Sequence, residues 1–290
     1  MRCGSAIASA LLALLACAPG ALAQEGGAPA PDFSDPCPAL YPGDGASQER
    51  TARWMARGAG ERGLPLELPV MAGLAESGLR NLRGPSYNGF FGMHSSLNTG
   101  DYRGFPKNPT LQLDWFLDTA ALVRQRRVAE GGPDPAADSG DYGLWIADVE
   151  RPAPQNRSGY QPHLNTARKL VGGRCPAPVR SDLSAPALSV RVARRQRALA
   201  SDGIVTRLRC PAEACMAGIA ATVTAGGREL TLRAPAIDPA STWSSVLIRL
   251  PRGVRRELRR GRGVTATVTV FAADAAANAV SAKRSTRLIP

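Results

Sequence analysis

Residues 66–79 read Leu-Glu-Leu-Pro-Val-Met-Ala-Gly-Leu-Ala-Glu-Ser-Gly-Leu, an apolar stretch that carries two carboxylates, Glu67 at its start and Glu76 near its C-terminal end. Its apolar spacing predicts a helix over about 66–77, and Pro69 is compatible with that helix only because it falls in the first turn. Taken alone, a helix glutamate is most often a solvated surface group, because charged side chains are rarely buried. A carboxyl held against apolar side chains behaves differently. Its charged form loses hydration, its pKa rises, and it becomes suited to donating a proton near neutral pH.

Working outward, the neighbouring segments are also helical. Ser47 is placed to cap a helix over about 47–60 that carries Trp54 and Met55 inward, and Thr110 to cap a second one that runs to about 129 with Leu113, Phe116, Leu117 and Ala120 on one face. Residues 142–149 and 164–171 add two shorter helices, with a polar connection over 151–160. The segment 81–107 is rich in Gly, Ser, Asn, Tyr and Phe, and reads as a loop that positions aromatic and polar groups around a cleft. These features predict a mainly α-helical domain over residues 45–176.

Beyond a linker at 177–186 the period changes from about four to two. Residues 188–192, 204–208, 219–223, 230–232, 246–250 and 264–270 alternate apolar with polar or small side chains, which predicts an all-β sandwich of about seven short strands over 187–290. Residues 252–260, RGVRRELRR, interrupt the strands as a short basic helix or turn. The charge divides near the same boundary, since residues 181–290 hold 18 Arg and Lys against 7 Asp and Glu, a balance of +11 within a formal net charge of +12. Such a charge suits an acidic partner. Only three of the 36 basic residues are lysines, so genomic composition is an equal explanation.

The N-terminus reads as a secretion signal over residues 1–23, with a basic start, an apolar run from Ile7 to Leu15 and a small-x-small site at Ala21-Leu22-Ala23. It is too short to span a membrane, and no second long apolar run follows. Cys17 after Leu14-Leu15-Ala16 offers a lipid-anchored alternative. Residues 24–44 form a Gly-, Ala- and Pro-rich leader. The expected location is extracellular or associated with the cell wall. Signal removal leaves Cys37, Cys175, Cys210 and Cys215, an even set bound for an oxidising compartment. Three pairings are possible. Cys37 with Cys175 would staple both ends of the helical domain, and Cys210 with Cys215 would close a turn between strands. Neither metal spacing nor a cofactor motif occurs, and the only histidines are His94 and His163, so no metal and no cofactor are expected.

Four blocks follow in order: Ala75-Glu76-Ser77-Gly78-Leu79, then Gly89-Phe90-Phe91-Gly92-Met93, then Leu111-Gln112-Leu113-Asp114-Trp115-Phe116, then residues 145–152 (WIADVERP) with Tyr160. Together they resemble the lytic transglycosylase and goose-type lysozyme superfamily, in particular its secreted actinobacterial members. The resemblance covers roughly residues 47–173. It implies a lysozyme-like catalytic domain that cleaves peptidoglycan glycan strands between N-acetylmuramic acid and N-acetylglucosamine, with Glu76 as the catalytic general acid and base. It also implies that the Tyr160 hydroxyl faces Glu76, and that Ser77, Tyr87, Phe91, Met93, Tyr102 and Glu150 border the substrate. Phe90 is a further stacking candidate. Asp101, Asp148 and Glu150 are candidates for a second carboxylate. The C-terminal part more weakly resembles immunoglobulin-like accessory domains, through Arg209-Cys210-Pro211, Cys215 and residues 268–278.

Two positions depart from the superfamily pattern, and at one of them Tyr87 stands where a small serine is common. The Gly-Phe-Phe block is normally followed by Gln, a groove-lining side chain, and here Gly92 occupies that place. His94 or Ser95 would have to replace its hydrogen bond. The alternative reading is a catalytically impaired protein that binds peptidoglycan without turnover. Anionic cell-wall polymers are the partners implied for the basic C-terminal part. Nucleic acid is not expected, because no aromatic-interleaved basic motif or recognition helix is present.

Overall fold

The computed structural model describes residues 35–173, 175, 182–239 and 241–290. The expected signal segment, Cys17, the first part of the leader and residues 177–181 of the linker lie outside the described residues. α1 (Gln48–Glu61) begins where the Ser47 hydroxyl accepts the Arg50 N–H at 3.2 Å, as its sequence predicts. α2 (Glu67–Ser77) ends at Gly78, whose N–H bonds back to Leu74, while the Leu79 N–H bonds to Gly73. α3 (Pro109–Ala129) is capped by Asn108 rather than Thr110: the Asn108 side-chain oxygen accepts the N–H groups of Thr110 and Leu111. α4 (Tyr142–Glu150) and α5 (Leu164–Val171) complete this half.

The chain is mixed α and β in both halves, which corrects the expectation of a mainly α-helical domain followed by an all-β one. The aromatic segment 81–107 is not an open loop. It folds into a three-stranded antiparallel sheet, β1 (Leu82–Arg83), β2 (Tyr87–Gly89) and β3 (Met93–His94), followed by three single-turn 3-10 helices. Its backbone polar groups must be paired where Phe90, Phe91 and Phe105 carry them into the core, and strand pairing meets part of that need. The other half in turn contains a helix, α6 (Arg252–Arg259), which buries Val254 and Leu258 and exposes most of its arginines.

Among the described residues this half has eight strands. β4 (Ser189–Arg191), β6 (Gly203–Arg209) and β9 (Ser244–Arg249) form a three-stranded sheet in the order β4-β6-β9. A five-stranded sheet is ordered β5-β11-β10-β7-β8, from β5 (Arg195–Arg197), β7 (Met216–Ala225), β8 (Arg228–Ile237), β10 (Val264–Ala273) and β11 (Ala279–Ile289). Ile204, Leu208 and Ile248 of the smaller sheet share one core with Ile219, Val223, Val268 and Val270 of the larger. No helix among the described residues is long and apolar enough to cross a membrane.

Both disulfides are present. Cys37 joins Cys175 across 138 residues of chain, and Cys210 joins Cys215. On the chain-entropy model a loop of the first kind restricts the unfolded state by about 5 kcal/mol. The helical half is further filled by Trp145, Phe90, Phe116 and Met55, all fully buried, with the Trp145 indole N–H donating to the Ala120 carbonyl at 3.0 Å.

The described residues form one compact unit, in which the end of α3 packs on the outer face of the five-stranded sheet. Val128 and Ala129 meet Met216, Ala273 and Ala277 there, and the Gln125 amide donates to the Ala273 carbonyl at 3.0 Å. Gly218 makes this approach possible: a Cβ on it would lie 2.3 Å from the Ala129 carbonyl oxygen, which is backbone and cannot rotate away. Gly218→Val should therefore cost about 1–3 kcal/mol and lower the melting temperature by roughly 3–10 °C. An unchanged melting temperature would show that this contact does not hold the two halves together.

Candidate active site

Glu76 lies in the last turn of α2, where the helix stops and leaves the side chain half-buried at the mouth of a cleft. The cleft has a volume of about 440 Å³ and is walled by residues 152–163 on the side opposite α2. Tyr160 crosses it. Its ring is buried and its hydroxyl donates to Glu76 Oε1 at 2.6 Å, joining residues 84 positions apart. Burial, then this bond to Glu76, pushes the Tyr160 pKa far above the usual tyrosine range, so the hydroxyl stays a donor.

The second carboxylate oxygen faces Gly92. A Cβ on residue 92 would lie 3.2 Å from Glu76 Oε2, and Gly92 holds a φ of +56°, in the left-handed region that side chains rarely adopt. The missing side chain thus keeps one approach to the carboxyl open. The backbone around Gly92 is held by two buried polar side chains. The Ser77 hydroxyl lies 2.9 Å from both the Gly73 and the Phe90 carbonyls, which ties the end of α2 to the Phe90 strand connection. Gln112, fully buried on α3, accepts the Phe90 N–H at 3.2 Å and donates to the Phe105 carbonyl and to Asn81. Each of these bonds satisfies a group that is costly to leave unpaired.

Glu150 closes α4 beside Glu76. One of its carboxyl oxygens, Oε1, is shielded from solvent and has no hydrogen-bond partner among the described residues. Burial raises its pKa well above the ordinary value near 4.5, and the charge of Glu76 raises it further. Asp148 has the opposite character. Burial would raise its pKa, but hydrogen bonds from Arg157 and Arg127 outweigh that and hold it low. The Arg127–Asp148–Arg157 chain pins the 154–159 turn, one wall of the cleft, to α3 and α4. Asp101 lies exposed in a 3-10 turn.

The remaining residues expected at the substrate divide by burial. Tyr87 is 62 % exposed, edge-on to His94. Tyr102 is half-buried and donates to Asp118 at 3.1 Å, and burial pushes its pKa up to about 12. Ser77, Phe91 and Met93 are buried, and Phe91 stacks on Phe116 with ring centres 4.6 Å apart, so these three support the site from within the core. Phe90 does likewise against Trp54 and Tyr41. Gln155, Asn156 and His163, which are not among the residues expected at the substrate, also line the cleft with Glu76. Their only signal is a concentration of amide and imidazole groups in a segment without periodicity.

Among the described residues one set of acids, Asp182, Glu213 and Asp274, is close enough to share a cation. It belongs to the β half, and Asn278 already donates to both oxygens of Asp274. No family model matches the chain, and neither a curated protein nor a solved structure does so.

The burial of Glu150 gives stability a defined pH dependence. Between about pH 4.5 and its raised pKa the folded chain holds a proton that the unfolded chain has released, so this contribution is complete below the ordinary value and lost as pH rises through the raised one. Glu150→Gln cannot ionise and should remove the loss. Its melting temperature relative to wild type should rise as pH increases above about 5; a constant difference would mean that the Glu150 carboxyl is not shielded from solvent.

Proposed function

We propose that the chain is a peptidoglycan-cleaving enzyme, a lytic transglycosylase or muramidase, with Glu76 as its general acid and base. The observation that carries this reading is the hydrogen bond from Tyr160 to Glu76 at the mouth of a polar cleft. The four ordered sequence blocks that resemble the lytic transglycosylase and goose-type lysozyme superfamily support it, and so do the two disulfides, which fit an exported chain.

Tyr160 holds Oε1, which leaves Oε2, on the Gly92 side, as the oxygen that delivers a proton. Glu76 donates to the oxygen bridging N-acetylmuramic acid and N-acetylglucosamine, the bond from that oxygen to the muramic anomeric carbon breaks, and the substrate's acetamido group shares the developing positive charge. The Glu76 carboxylate then removes a proton from the muramic C6 hydroxyl, whose oxygen attacks the anomeric carbon. The product is a 1,6-anhydro sugar, and Glu76 regains its proton.

Hydrolysis with inversion instead needs an ionised second carboxylate that holds water. Glu150 feels the charge of Glu76, but its burial favours the neutral form, and a neutral carboxyl is a poor base. Asp148 is committed to two arginines. A single working carboxylate therefore favours the intramolecular route. Gln155, Asn156 and His163 line the cleft, and their amide and imidazole groups support a role in bonding the sugar amides and hydroxyls in place of a glutamine at 92.

Mass spectrometry of purified sacculi digested by the full chain tests the chemistry. Muropeptides with anhydro ends are expected, reducing ends alone would overturn the single-carboxylate route, and binding without release would support the impaired-enzyme reading. Tyr160→Phe, which keeps the ring and loses the donor, should slow release about 10- to 100-fold, the scale of a displaced catalytic group.

A further inference from the structure

The sheet β4-β6-β9 turns one face to the shared core and the other to solvent. Val205 and Arg207 of β6 point outward, between the buried Ile204, Thr206 and Leu208, and the half-buried Arg209 continues the same row. The register sets Arg191 of β4 opposite Arg207, and Leu247 of β9 opposite Val205. Trp243 precedes β9. The guanidinium carbons of Arg191, Arg209 and Arg207 lie 4.3, 4.9 and 5.8 Å from the centre of its ring. Among the described residues no carboxylate forms an ion pair with these three arginines or with Arg249 nearby, and Arg209 Nε is shielded from solvent without a hydrogen-bond partner. Elsewhere in this half, Arg255, Arg260 and Arg262 each pair with an acid.

We propose that this face is a binding surface for a linear polymer of phosphodiesters. Three like charges gathered on one ring repel one another, and cation–π attraction offsets only part of that cost. An anionic ligand removes the remainder. The three guanidinium groups converge on one ring, and the exposed Arg249, paired with Gly203, stands four residues or about 13 Å further along the strands, so positive charge recurs along this face as a ligand of repeated charges requires. Arginine forks match phosphate oxygens, and three converging forks offer more donors than one carboxylate accepts. The Trp243 ring is already covered by guanidinium groups, so it is not an open platform for a nucleobase, which single-stranded nucleic acid binding relies on. The exposed Leu247 and Val205 lie between this cluster and Arg249 and suit the carbon segments between phosphates. This surface is independent of Glu76 and of the proposed cleavage.

The test uses the full chain and poly(glycerol phosphate) as probe, with binding measured by co-sedimentation or by retention on the immobilised polymer at about 50 mM and about 200 mM salt. The triple variant R191E/R207E/R209E should lose affinity by about tenfold or more. The control R252E/R256E/R259E makes the same change in net charge on α6 and should stay within about threefold of wild type. Equal losses in both variants would reduce the effect to net charge and overturn the proposal, as would no loss in the first. Polygalacturonate and oligo-dT serve as competing polymers, and tighter binding of either would also overturn it. Circular dichroism checks folding, and R191Q/R207Q/R209Q, expected to weaken binding in the same direction, replaces the reversal variant if it fails to fold. Sacculus cleavage should be unaltered by either set.

Discussion

A hydrogen bond between residues 84 positions apart is the constraint around which the helical half is organised. For the Tyr160 hydroxyl to reach Glu76 at 2.6 Å, α2 must stop one residue after Glu76, the Phe90 connection must be fixed beside it, and the 152–163 segment must fold back across the helix end. Each requirement has its own physical device. Gly78 and Leu79 close α2, Ser77 and Gln112 anchor the Phe90 connection, and the Arg127–Asp148–Arg157 chain holds the returning wall. The Cys37–Cys175 disulfide then ties both ends of this half together.

The same arrangement divides the carboxylates by environment. Asp148 is held ionised by two arginines, Glu150 is pushed toward its neutral form by burial, and Glu76 stands between solvent and a phenolic donor. Divided environments of this kind are how neighbouring acids acquire different roles. Gly92 belongs to the same design, because its absent side chain keeps Oε2 accessible. Glycine at this position thus has a local steric reason in this chain.

Much of the helical half was legible because helix signals are local. The Ser47 cap, the apolar stripe of α3 and Pro69 in a first turn are all visible within a few residues. β11 was not, since Lys283, Arg284 and Ser285 interrupt its alternation and only its neighbours make it a strand. The sheet within 81–107 was hidden for a similar reason: strands of two or three residues carry no period, and long-range pairing decides them. In the site, Glu76 and Tyr160 stood out through ordered blocks. Phe91 and Met93 looked equally accessible, and only packing against Phe116 and the core places them inside. Gln112 was concealed within an apolar stripe, although its buried amide organises three segments.

The central claim is that the carboxyl of Glu76 performs chemistry in this cleft. Release of soluble glycan fragments from purified sacculi, measured together with sacculus binding for wild type and Glu76→Gln, tests it most directly. Wild type is expected to release fragments, the variant to lose release by about 100-fold or more, and both to retain binding. Release unchanged by Glu76→Gln, or none from a wild-type chain that binds, would contradict it.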